Sequence, residues 1–154
     1  MHLGKRYEAA VRDLILGPGV TIVEPCNLYE CTLGEQVFVG PFCEVQKGVV
    51  IGARTRIQSH TFICELVTLG ADCFVGHGVM FVNDLFEKGG PARGDQSLWK
   101  ATVIGDRVSI GSNATILPVS ICTGAVIGAG AVVTRSIDTP GVYAGNPARR
   151  LRNL

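Results

Sequence analysis

From Leu33 to Phe81 an apolar residue returns at every sixth position: Leu33, Val39, Val45, Ile51, Ile57, Ile63, Leu69, Val75 and Phe81. Four residues after each of these, as far as Val75, stands a small or β-branched side chain: Val37, Cys43, Val49, Thr55, Thr61, Val67, Cys73 and Val79. Glycine follows many of the apolar positions directly, as Gly34, Gly40, Gly52, Gly70 and Gly76. A period of six matches neither the helical 3.6 nor the strand period of 2, so the repeat is supersecondary. It predicts a parallel β-helix in which each hexapeptide forms one short flat side and one corner, and three close a triangular coil. The repeating side chain then points inward and stacks on its equivalents about 4.8 Å above and below. Glycine at the next position is expected to supply backbone freedom at the corner, and the small residue to fit the cramped inner corner.

The register extends beyond this run. Before it stand Leu16-Gly17, Ile22 and Leu28, with a five-residue step to Leu33; from Val82 to Val103 the pattern stops. It resumes at Ile104-Gly105, Ile110-Gly111 and Ile116, takes a second five-residue step to Ile121, and continues at Ile127-Gly128 and Val133. Counted in threes, both short steps fall at one corner, which predicts about six coils. The expected layout is a single all-β domain over 1–154, with a lead-in over 1–15, coils over 16–136 and a tail over 137–154. The lead-in, weakly helical around Tyr7 to Asp13, is expected to cap the open end of the stack, as repeat proteins require. The tail is expected to fold back or start a short helix. A loop near residues 83–102 interrupts the coils. Connections this long in a compact domain usually carry function, and Phe86, Leu98 and Trp99 are apolar enough to pin it.

Composition narrows the function classes. At 154 residues the chain can bury a core. Its 47% apolar and 6% aromatic content suits a narrow stack of Val, Ile and Leu. A net charge of +1 without a basic run points away from nucleic acid. No apolar run approaches the roughly 20 residues of a membrane span, and no signal-peptide core opens the chain, so a cytoplasmic protein is expected. Cys26, Cys31, Cys43, Cys64, Cys73 and Cys122 lack paired metal-ligand spacing, which favours buried reduced thiols over disulfides or zinc.

Residues eighteen apart stack vertically, which turns the repeat into a map of the surface. Lys47, Glu65 and Asn83 form one column at a corner, each two residues past its inward neighbour. His77 lies two past Val75 at another corner, with Ser59 one coil below, and His60 is adjacent to Ser59. Charged ladders and interface histidines explain such columns as readily as a binding site does.

The stretches Phe38 to Phe42, Gln46 to Gly48, Gln58 to Cys64, Gly76 to Asp84 and Gly145 to Arg149 resemble the left-handed β-helix acyltransferases. The His77 to Asp84 run, the loop ending Leu98-Trp99-Lys100, and Ile110 to Pro118 point within them to the nucleotide-linked 3-amino-sugar N-acetyltransferases of bacterial surface-polysaccharide and S-layer glycan synthesis. The resemblance implies left-handed coiling, an exception to the usual crossover rule. It implies a homotrimer with sites between subunits, a dTDP- or UDP-linked 3-amino sugar as acceptor, no metal, and acetyl-CoA lying beside the later coils. Backbone around Gly111, Ser112 and Ala129 would hold the pantetheine arm, and Pro147, Arg149 and Arg150 the adenine and phosphate end, a role that suits arginine.

N-acetylation needs a neutral amine, attack on a thioester carbonyl and a stabilised oxyanion. His77 is the candidate proton acceptor, unless the departing CoA sulfur takes the proton itself. Backbone N–H groups at a corner are candidate oxyanion donors. Asn83 and Asp84, at the loop root, are candidate catalytic and binding groups; Lys47, His60, Glu65 and Trp99 are further candidate substrate contacts. Glu65 stands where relatives acting on 4-amino sugars carry a histidine, so their His–Glu pair does not transfer. A hexapeptide-type O-acetyltransferase is the alternative reading. A metal site like that of the γ-type carbonic anhydrases needs three histidines, two of them five apart. Five after His77 comes Val82, and the remaining histidines are His2 and His60. A purely structural coil stack would have no use for the interrupting loop.

Overall fold

The computed structural model describes Lys5 and residues 7–154. The sixth-position side chains from Leu33 to Phe81 are all buried, as are the small residues four positions after them. These two rows make the core. Pairs of residues such as Phe38–Val39, Glu44–Val45 and Val50–Ile51 form short strands, each with one residue inward and one outward. The strands stack into three sheets, parallel apart from the last strand of the third. The first sheet has seven strands, from Val11–Arg12 to Val132–Val133. The second has six, from Ile15–Leu16 to Ser120–Ile121. The third has eight, beginning at Thr21–Ile22 and ending in the C-terminal hairpin. This is a parallel β-solenoid of about seven turns with the architecture of the left-handed β-helix.

The count of six coils is therefore one short. The first turn starts at Val11–Arg12, inside the stretch expected as a lead-in, with Val11 in register with Leu28. It is hard to read because its corner uses Asp13 in the left-handed region (φ 54°) with no glycine. Residues 1–4 and 6 of the expected cap lie outside the described residues. The tail folds back: Val142–Ala144 extends the third sheet and pairs antiparallel with Arg149–Arg152. The only helical turn in the described residues is the 3-10 segment Gln96–Leu98. Thr102, expected at the end of the loop, is buried and opens the strand Thr102–Ile104.

The glycines after the inward positions have a different reason from the one expected. None of Gly34, Gly40, Gly52, Gly70 and Gly76 has a left-handed φ. What they share is proximity to the next coil: a Cβ on Gly52 would lie 2.4 Å from the Gly70 carbonyl carbon, and one on Gly76 2.6 Å from the Ser112 nitrogen. The left-handed residues come two positions later, at Gln36, Phe42, Gly48, Arg54, His60, Leu66, Asp72 and Gly78. In the small-residue slot, hydroxyls and thiols bond to the coil above. Thr55 donates to the Gly70 carbonyl (2.8 Å), Thr61 to Gly76 (3.0 Å), Cys43 to Gln58 (3.1 Å) and Cys73 to Gly105 (3.1 Å). All six thiols are free.

Candidate functional site

Two neighbouring corners carry the candidate residues. The corner leading from the third sheet to the first bears a vertical row two residues past the inward positions: Pro41, Ser59, His77, Ser112 and Ala129. Main-chain bonds fix it, with Gly78 N donating to Ser59 O (3.0 Å), Asn113 N to His77 O (2.8 Å) and Gly130 N to Ser112 O (2.9 Å). Ser112 lies directly over His77. The His77 amide donates to Ser112 Oγ at 3.2 Å, and the same hydroxyl stands 3.5 Å from His77 Nδ1. His77 is exposed, and no carboxylate pairs with it among the described residues. The amides of Ser112 and Ala129 find no acceptor within the described chain. Above Ala129 the row meets the C-terminal fold-back, where Val132 N donates to Gly145 O (3.0 Å) and Ala148 N to Val132 O (2.8 Å). Pro147 follows at the top of the same corner.

A cleft of about 190 Å³ opens at the same end of the stack, where Arg135, from the corner between the first and second sheets, meets Tyr143, Ala148, Arg149 and Arg150 of the fold-back. Arg149 donates to the Ala148 carbonyl (2.9 Å) and Arg150 to the Pro140 carbonyl (3.0 Å), and none of the three guanidinium groups has a carboxylate partner among the described residues. Three charges without counter-ions around one cleft suit a multiply charged anion. Arg135 had no signal in the sequence, because it meets Arg149 and Arg150 only when the tail folds back.

The corner from the first sheet to the second bears Glu30, Lys47, Glu65 and Asn83. Lys47 pairs with Glu30 at 3.0 Å, downward and away from Glu65, and this carboxylate raises the lysine pKa. Asn83 Nδ2 donates to the Glu65 carbonyl (3.2 Å), and Glu65 N to Gln46 Oε1 (3.3 Å), so the expected column is real from Lys47 to Asn83. The loop springs from this corner and is closed at its root by Lys100 N to Asn83 O (2.9 Å). Asp84 accepts from the Phe86 amide (2.9 Å) and the Ala92 amide (2.7 Å), so both its oxygens hold the loop. Asp95 caps the Gln96–Leu98 turn that carries Trp99, and the hydroxyl of Ser97, helped by its amide, holds the Asp95 carboxyl below the usual range. Trp99 is half-buried.

His77 and Asn83 are thus not brought together on one chain. They sit at successive corners, with five residues, the strand Met80–Phe81 among them, in between. His60 lies one coil below Gly78, its ring 4.9 Å from that of Phe42.

Two family signatures match, "Bacterial transferase hexapeptide (six repeats)" over residues 30–65 and "Hexapeptide repeat of succinyl-transferase" over 101–135. The chain has a hexapeptide-repeat acetyltransferase fold. It is 40% identical over 110 residues to the bifunctional protein GlmU of Limosilactobacillus fermentum, covering 71% of this chain but 22% of that protein. The chain spans roughly a quarter of the length of such relatives (22%, 28% and 27% for three GlmU proteins). A hexapeptide-repeat-containing acetyltransferase from Vibrio cholerae O1 biovar eltor, solved with acetyl coenzyme A, superposes with TM-score 0.67 at 28% identity, covering 82% of this chain and 72% of that one. The perosamine N-acetyltransferase of Caulobacter crescentus, solved with CoA and GDP-perosamine, shares the fold at TM-score 0.68 and 22% identity over 91% of this chain and 58% of that one. Among the described residues no group of three or more His, Cys, Asp or Glu gathers as a metal site, and no helix is long and apolar enough to cross a membrane.

Proposed function

We propose that this hexapeptide-repeat chain is an acetyl-CoA-dependent N-acetyltransferase acting on the 3-amino group of a dTDP- or UDP-linked 3-amino-3-deoxy sugar in bacterial surface-glycan synthesis. The observation that carries the acyl-transfer reading is the corner row from His77 to Pro147. Two unpaired amides, at Ser112 and Ala129, stand between His77 and the end of the stack, where the fold-back gathers three arginines without carboxylate partners around one cleft. Pantetheine presents amide carbonyls to bare N–H groups, and the nucleotide end of CoA presents phosphates to guanidinium groups. The acetyl thioester then reaches His77. The Vibrio cholerae acetyltransferase, solved with acetyl coenzyme A, supports this donor, and the perosamine enzyme, with its GDP-linked amino sugar, supports the acceptor class.

The acceptor amine attacks the thioester carbonyl, forming the amide C–N bond as the C–S bond breaks. One proton leaves the amine and one is needed by the coenzyme A thiolate. His77 carries no carboxylate partner to strengthen it as a base, so its part is to orient the amine and relay that proton toward the sulfur. Asn83 and the loop it roots bind the acceptor, with Asp84 acting by fixing the loop. Six residues span at most about 20 Å, and a flat side lies between His77 and the loop. A threefold assembly, setting the loop of one copy against the His77 corner of the next, completes the site and gives the homotrimer. The test is product analysis by mass spectrometry after incubation with acetyl-CoA and a panel of nucleotide-linked 3-amino, 4-amino and unaminated sugars. Acetylation confined to the 3-amino members is expected; acetyl ester formation on the unaminated sugars would establish the O-acetyl reading instead.

A further inference from the structure

The His77 corner continues below the proposed donor groove, and there its surface changes from small residues to aromatic ones. Phe42 and His60 occupy the left-handed position (φ 62° and 64°) where the coil of His77 has Gly78 and a later coil Gly130. Phe42 is 57% exposed, so its ring is not there for the core. One face of that ring packs on His60 at 4.9 Å. Phe42 also walls a largely apolar cavity of about 300 Å³, shared with Ala9, Pro25, Asn27 and Glu44. At another corner, from the second sheet to the third, the equivalent left-handed position carries a long side chain with a visible partner, Arg54 bonded to Asp72. Phe42 has the cavity.

The polar groups at the rim are selective. Asn27 and Glu44 are direct register partners on adjacent strands of the first sheet. Arg12 donates to the Asn27 side-chain oxygen (3.4 Å), which leaves the Asn27 amide hydrogens to donate elsewhere. Gln46 donates to one Glu44 carboxylate oxygen (2.9 Å), which leaves the other to accept. A donor beside an acceptor next to an aromatic wall complements the carbonyl and ring N–H of a pyrimidine dione. The Phe42 level lies two coils, about 10 Å, from that of His77. The two ends of one nucleotide-linked sugar can occupy both.

We infer that this cavity is the nucleobase subsite of the acceptor, with a uracil or thymine ring stacked on Phe42, His60 backing that ring, and Asn27 and Glu44 meeting the base edge. The inference rests on the nucleotide-sugar reading above for the identity of the substrate, and its test separates the two. Binding of UDP and dTDP, with ADP as the purine comparison, is measured by calorimetry on the whole chain with Phe42→Gly, Phe42→Tyr and Glu44→Gln, alongside KM and kcat for the amino sugar. Base stacking is worth roughly 1–3 kcal/mol by truncation, about 5- to 150-fold in affinity. Phe42→Gly should weaken UDP or dTDP binding and raise acceptor KM by such a factor with kcat within about threefold, while Phe42→Tyr retains both. Because φ is left-handed at this position, Phe42→Gly should also unfold at the same or a higher temperature. Glu44→Gln should weaken pyrimidine binding and leave ADP binding as it was. Unchanged UDP and dTDP affinity in Phe42→Gly, or loss of the oligomer in its place, overturns the subsite and leaves the N-acetyltransferase reading intact. Phe42-dependent pyrimidine binding without turnover of any amino sugar keeps the subsite and sinks that reading.

Discussion

Replacing Gly76 with alanine is the sharpest probe of how coil spacing positions the site. The added Cβ would stand 2.6 Å from the Ser112 nitrogen, 2.9 Å from the Gly111 carbonyl carbon and 2.9 Å from the Ile110 oxygen. All three are backbone atoms, so no side chain can swing aside, and the coils must separate where His77 and Ser112 stack. Overpacking of this kind costs about 1–3 kcal/mol. For a chain of this size that corresponds to a Tm lowered by roughly 2–12 °C. Gly90→Ala is the matched control: no atom lies within 4 Å of its added Cβ and its φ is not left-handed, so its stability should stay within about 0.5 kcal/mol. Calorimetric melting of the two variants provides the comparison. Since the clash falls on the Ser112 amide, KM for acetyl-CoA should rise in Gly76→Ala more than KM for the acceptor. Equal melting of Gly76→Ala and wild type would refute the close backbone contact and the role given to the glycine row.

Further outcomes follow from the same geometry. His77→Ala should lower kcat/KM about tenfold; a loss of 10² or more would make His77 a full general base. Asp84→Ala removes the acceptor for two loop amides, of which the part-buried Ala92 N–H is the costly one to leave unsatisfied, at about 1–3 kcal/mol. Hydrogen exchange at Phe86 and Ala92 should accelerate while core amides such as that of Ile57 keep their protection. Burial pushes the thiols of Cys31 and Cys43 up to about 11 and that of Cys64 to about 12. Cys122, half-buried, is the thiol expected to react with a disulfide reagent in the native protein, with all six reacting after denaturation. Several fast-reacting thiols would contradict the closed core.

Much of this molecule is legible in its sequence because a fixed period of six is also a coordinate system. Once Leu33 to Phe81 are inward, the stacking of Asn83 on Glu65 and of His77 over Ser59 follows by counting. The count fails where a turn lacks the pattern's visible marks, as at Val11, whose corner turns on Asp13. It also fails where contact depends on a fold-back, as with Arg135 against Arg149 and Arg150. The glycine row is visible, but its cause is not, since backbone of the next coil lying where a Cβ would stand has no signature in the chain itself. Asp84 shows a further limit: a carboxylate beside Asn83 reads as a substrate group, yet both its oxygens are taken by loop amides. At the first-to-second-sheet corner, the short steps to Leu33 and Ile121 and the inserted loop coincide. Length changes there leave the other two corners, and with them the His77 row, in register.

The central claim is that a donor groove along the His77 corner serves an amine on a nucleotide-linked sugar. Thiol release from acetyl-CoA measures it most directly, followed with matched 3-amino and 4-amino nucleotide sugars on protein shown to be folded and trimeric. Release that depends on the 3-amino sugar is the expected result; no release with any amine would contradict the account.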